Sequence, residues 1–134
     1  GKAVVIREGS DATIVAIRDM VAQALVAAEL LAARGLSVRV IDCHTLKPLD
    51  ETTLLQAARE TGALVTAESN IGYGGLGSAV AELLVEQYPV PMQRIALGDT
   101  FTESGPYLDL LEKYGMSAGH IAAAVERVVG RKRA

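Results

Sequence analysis

The sequence predicts an α/β domain, a mostly parallel sheet with helices on both faces and an antiparallel first strand at its edge. Three observations lead there. Short β-branched runs alternate with stretches of helical periodicity from residue 12 onward. The apolar half of the chain is mostly Ala, Val, Leu and Ile, with one Phe and no Trp, a composition suited to helices packed on a parallel sheet. The first two strands are separated only by Glu8-Gly9-Ser10-Asp11, too short for a parallel crossover.

The elements follow in order. Ala3 to Ile6 and Ala12 to Ile17 read as strands. Val21, Ala24, Leu25, Ala28, Leu31 and Ala32 recur at helical spacing, so a helix is expected from Met20 to Arg34, with Asp19 as cap and Gly35 as stop. Ser37 to Asp42 is a strand, and Asp50 caps a helix that Gly62 ends. Ala63 to Glu68 is a strand, after which a Gly-rich loop opens a helix to Gln87, stopped by Pro89. Met92 to Leu97 is the last strand. Pro106 suits the first position of a short helix, and Ser117 the cap of a final helix to Val129.

A chain of 134 residues supports one domain, 1–134, with one core. A net charge of −3 argues against a nucleic-acid binder, and Arg131, Lys132 and Arg133 read as a solvated tail. Cys43 is the sole cysteine, which excludes an intrachain disulfide. No apolar run is long enough to span a bilayer and no signal peptide is visible, so no membrane partner and a cytoplasmic location are expected.

The most distinctive local feature is Gly72-Tyr73-Gly74-Gly75-Leu76-Gly77-Ser78. Gly72, Gly74 and Gly77 fit the G-x-G-x-x-G pattern, with Asp99 in the part of the ribose-binding carboxylate. Ser69, Asn70 and Ile71 stand between the strand and the first glycine, which favours a tight packing loop over a nucleotide site. Glu68 and Asp99 end strands and could face one crevice, as an acid/base pair or, more plainly, as caps for loop amides. Cys43 and His44, adjacent after a strand, point to opposite sides and do not suit a nucleophile–base dyad. His44 is a candidate for contact with a neighbouring domain or simply a loop histidine, and His120 is expected to face solvent. Phe101, alone among polar neighbours up to Ser104, either meets a partner or folds over the core. No spacing of His, Cys, Asp and Glu suggests a metal site.

Taken together, several segments resemble the C-terminal domain of transketolase-like enzymes. They are Gly1-Lys2-Ala3 to Arg7-Glu8-Gly9-Ser10-Asp11, Thr13-Ile14-Val15-Ala16, Thr45-Leu46-Lys47-Pro48-Leu49-Asp50, Gly74 to Glu82, and Asp99-Thr100-Phe101-Thr102-Glu103-Ser104-Gly105. His44 and Ser104-Gly105 resemble transketolases, including those split into two polypeptides. The 1-deoxyxylulose-5-phosphate synthases and the beta chains of 2-oxoacid dehydrogenases are the competing branches. The chain departs from the pattern at Asn70, where His is frequent, at Gly72, where an apolar residue is usual, and at Arg18, where Gly is common.

The resemblance implies a three-layer α/β/α fold with a mixed five-stranded sheet whose first strand is antiparallel. It implies an enzyme that moves a two-carbon ketol unit between sugar phosphates on thiamine diphosphate with magnesium, both bound by domains outside this chain. It assigns no catalytic, cofactor-binding or metal-binding residue here. It implies instead an accessory, dimer-stabilising role beside pyrimidine-binding and diphosphate-binding domains, in a homo-oligomer. The contact candidates are His44, Glu68, Asn70, Gly74, Gly75, Gly77, Ser78, Asp99, Phe101 and Ser104. A regulatory nucleotide- or anion-binding module using the Gly72–Gly77 loop is the alternative from another class.

Overall fold

A computed structural model describes residues 2–69, 75–96 and 106–134. The chain runs β1 (Val4–Arg7), β2 (Ala12–Ala16), α1 (Met20–Ala32), β3 (Val38–Asp42), α2 (Glu51–Thr61), β4 (Leu64–Glu68), α3 (Leu76–Gln87), β5 (Met92–Ala96), α4 (Tyr107–Lys113) and α5 (Ala118–Arg133). The five strands form one sheet in the order β1-β3-β2-β4-β5. β1 is antiparallel to β3, and the other neighbours are parallel. The expected mixed sheet with an antiparallel first strand at its edge is therefore what the chain forms.

Alternation along β2 builds the layers. Ala12, Ile14 and Ala16 pack on one face with α1 and α5, while Val15 and Ile17 pack on the other with α2 and α3. Every residue of β2 and β4 is buried, as expected of central strands covered on both faces. Burying a side chain such as Ile14 or Ile41 contributes about 1.5–3 kcal/mol.

Local chemistry sets several helix ends. The Asp50 carboxylate accepts from the Thr53 amide at 3.1 Å and from the Thr53 hydroxyl at 2.7 Å, capping α2 as expected. Gly62 ends that helix at φ +71°, a left-handed conformation that favours glycine. The Leu36 amide reaches back to the Leu31 carbonyl at 2.9 Å across Gly35, closing α1.

Four expectations change. Asp19 has helical dihedrals and makes no cap bond, so it does not cap α1. Ser117 makes no side-chain cap bond; its hydroxyl pairs with His120 Nδ1 at 2.8 Å. Pro106 stands just before α4 rather than as its first residue. Finally, α5 continues through the basic residues to Arg133. Lys132 is no solvated tail, because its Nζ donates to the carbonyls of Asp11 at 2.6 Å and Thr61 at 2.7 Å. Thr61 is the last residue of α2, where carbonyls lack partners within the helix, and an ammonium satisfies one of them.

Among the described residues no helix is long and apolar enough to cross a membrane.

Candidate functional site

The parallel strands point their carboxyl ends to one edge. After β2 the chain crosses to β3 on one side, and after β3 it returns past β2 to reach β4 on the other. The gap between β2 and β4 is thus the topological switch point, where open α/β sheets tend to bind ligands.

Glu68, at the end of β4, is 7% exposed. Its Oε2 accepts from the Leu76 amide at 2.5 Å and its Oε1 from the Gly77 amide at 3.3 Å. The first turn of α3 therefore takes its anion from the chain itself. Such a carboxylate is favoured both by the orphan amides and by the helix dipole. Gly75 makes the approach possible, since a Cβ there would sit 2.7 Å from Oε2 and 2.8 Å from Oε1. Gly77 admits the neighbouring strand, because its Cβ would lie 2.7 Å from the Arg94 Cδ. Ser78 follows in the same turn, half-buried.

This arrangement counts against a nucleotide at the Gly-rich loop. A phosphate there would compete with Glu68 for the Leu76 and Gly77 amides and face its charge. Two unit charges about 4 Å apart repel by about 4 kcal/mol at an effective dielectric of about 20. The shallow groove between α2 and α3 suits anions no better, with Glu51, Glu82 and Glu86 along it.

Beyond β3, Cys43 is buried and its thiol donates to the Thr45 carbonyl at 3.5 Å. Burial pushes the thiol pKa up, the wrong direction for a nucleophile. His44 is exposed and its Nδ1 lies 3.6 Å from Asp42 Oδ1, so the two adjacent residues share no dyad. His120, expected in solvent, is partly exposed and lies 3.6 Å from Glu112 as well as against Ser117. Asn70, Gly74, Asp99, Phe101 and Ser104 lie outside the described residues, and with them the pairing of Glu68 and Asp99.

Sequence reasoning missed one cluster at the switch point. Asp19 accepts from the Ser69 hydroxyl at 2.7 and 2.8 Å, through both carboxylate oxygens, and from the Tyr107 hydroxyl. Burial, then the hydrogen bond to Asp19, pushes the phenol pKa above its ordinary value, so Tyr107 remains a donor. Asp19 and Ser69 each follow a strand, a signal that was available; Tyr107 comes from a distant helix and carried none.

The described residues do not fit a magnesium-bound diphosphate. Among them no group of three or more His, Cys, Asp or Glu side chains could hold a metal, and the amides at the start of α3 are already taken.

A family model described as "Transketolase, C-terminal domain" matches residues 1–121. The chain is 49% identical over 132 residues to the 6-deoxy-6-sulfo-D-fructose transketolase subunit SqwH of Clostridium sp. (strain MSTE9), covering 98% of this chain and 41% of that protein. It is 45% identical over 134 residues to the 1-deoxy-D-xylulose-5-phosphate synthase of Syntrophotalea carbinolica, covering 99% of this chain and 21% of that one. Among solved structures, a split-gene transketolase described as an inactive beta4 tetramer superposes with a TM-score of 0.92 at 49% identity, over 98% of this chain and 43% of that one. A Leishmania mexicana transketolase shares the fold, with a TM-score of 0.70 at 20% identity over 98% of this chain and 18% of that chain. The chain therefore spans less than half the length of these relatives.

Proposed function

Because this chain belongs to the transketolase C-terminal domain family, we propose that it is the accessory, partner-docking domain of a thiamine-diphosphate-dependent ketol transferase. The observation that carries the proposal is the length relationship. The resemblance runs along 98% of this chain but over only 41% of the split subunit it matches. In this reading the rest of such an enzyme handles the cofactor and substrates. The pyrimidine-binding and diphosphate-binding parts would bind thiamine diphosphate and magnesium, and that cofactor supplies the carbanion chemistry. The spent helix terminus at Glu68 supports a positioning rather than a binding role for this chain.

In this reading the carboxyl edge meets the rest of the enzyme within a homo-oligomer in the cytoplasm. His44, residues 74–78 and residues 99–105 form the contact shell, with Glu68 behind it fixing the start of α3. The reaction is transfer of a two-carbon ketol unit from a ketose bearing a terminal phosphate or sulfonate.

A second reading is favoured by the 45% identity to a 1-deoxy-D-xylulose-5-phosphate synthase, nearly as high as to the split subunit. Both readings are tested with the natural enzyme that contains this chain. Ketol transfer between sugar phosphates supports the first, and formation of 1-deoxy-D-xylulose 5-phosphate supports the second. The isolated chain should show no saturable binding of thiamine diphosphate with magnesium by calorimetry; such binding would overturn the docking role.

A further inference from the structure

We propose that Asp19 is a positioning residue for the carboxyl edge, fixing where the chain leaves β4 and where it enters α4. The inference rests on the docking role proposed above and names a side chain that joins two elements of that edge.

Backbone and side-chain geometry agree on Asp19. Arg18 has φ +55°, the one described non-glycine residue with positive φ. Asp19 follows at φ −66°, ψ −17°, and the Met20 amide closes the turn on the Ile17 carbonyl at 3.2 Å. Positive φ followed by negative φ is the pattern of a type II′ turn, which favours glycine first. An arginine held there marks a conformation that its surroundings impose. The turn delivers the Asp19 carboxylate across the switch point rather than onto the amides of α1.

There the carboxylate gathers two elements that are remote in sequence. The Ser69 hydroxyl lies 2.7 and 2.8 Å from its two oxygens, bridging the ends of β2 and β4. The Tyr107 hydroxyl donates to the same carboxylate and lies 3.9 Å from the Sδ of buried Met20, a weak acceptor, so the start of α4 is held through this one hydroxyl. Hydrogen bonds to an ionised acceptor are the stronger kind. The sequence stretches with Asn70 and Gly74, and with Asp99, Phe101 and Ser104, adjoin these two anchors. One carboxylate thus ties the end of β4 to the start of α4.

The test uses the natural enzyme and the chain by itself, each with Asp19→Ala, Asp19→Asn, Ser69→Ala and Tyr107→Phe. Hydrogen exchange of the chain reports on α4, with β3 and α2 as internal controls. Titration against the remainder of the enzyme reports on docking. D19A should speed exchange in α4 and weaken association, each about tenfold or more, as expected for losing bonds to a charged acceptor. The control elements should not change. D19N keeps an acceptor oxygen without the charge and should restore part of both. Y107F should reproduce the α4 effect alone. Unchanged exchange in D19A and Y107F, faster exchange spread evenly over the chain, or local exchange without weaker association would each overturn the proposal. Failure of the unaltered chain to associate would sink the docking role instead, and leaves the exchange comparison to decide whether Asp19 holds α4.

Discussion

The Glu68 carboxylate lies 2.5 Å from the Leu76 amide nitrogen, so the residue that ends β4 caps the helix that follows it. The same carboxylate also accepts from the Gly77 amide at 3.3 Å, a charge-assisted cap. Removing it should cost what a helix cap costs, about 1–2 kcal/mol, with E68A more destabilising than E68Q. Chemical denaturation checks this. The same experiment with added phosphate is informative, since E68A frees two amides. Phosphate should stabilise E68A more than the unaltered chain.

Gly75 should tolerate no side chain. A methyl group there meets the Glu68 oxygens at 2.7 and 2.8 Å, so either the carboxylate or the helix start must move. G75A is expected to lose about 1–3 kcal/mol. In E68A the obstruction is gone, and the double variant should be less destabilised than the sum of the singles. A double-mutant cycle by urea denaturation would measure that coupling; strict additivity would contradict the clash.

Lys132 should matter more than its neighbours in the basic cluster. Its ammonium satisfies carbonyls of Asp11 and Thr61, and its stem covers Gly62, whose Cβ would lie 2.9 Å from the Lys132 Cδ. K132M keeps much of the stem and loses the donors, so about 1–3 kcal/mol of stability should go. Arg131 is exposed, and R131A should stay within about 0.5 kcal/mol. Thermal melts of the two variants separate a pinned helix end from a solvated one.

Asp50 should contribute to acid sensitivity. The Thr53 hydroxyl chiefly, with the Thr53 and Ala3 amides, holds its carboxyl below the ordinary value of 3.8. A depressed folded-state pKa contributes stability that is present above the unfolded value and lost as pH falls through the folded one. Glu60 is lowered in the same direction, first by Gln56 and then by Arg39. The chain should therefore lose stability as pH drops below about 4. D50N should be less stable than the parent at pH 7, with a smaller further loss on acidification, as followed by urea denaturation at pH 7 and pH 3.

How far the sequence reached depended on the range of each interaction. The apolar β-branched run of β2, the periodicity of α1, the Asp50 cap and the Gly62 stop are all local, and each was legible. The antiparallel edge strand followed from the short turn before Asp11. Glu68 was half legible. Its place at a strand end named it as a capping candidate, but only packing of α3 against β4 selects the Leu76 and Gly77 amides.

The remainder belonged to tertiary structure. Asp19 looked like a helix cap because an aspartate before a periodic run usually is one. The left-handed turn at Arg18 and partners 50 and 88 residues away redirect it. Lys132 looked like a charged tail until its helix met carbonyls 71 and 121 residues distant. Sequence by itself thus determined the fold class, the strand and helix order and the local caps, because turn chemistry and hydrophobic period act over a few residues. Only the folded chain decided which polar groups meet across the switch point and at the end of α5, because unpaired amides, carbonyls and carboxylates take whatever partners packing brings within hydrogen-bond reach.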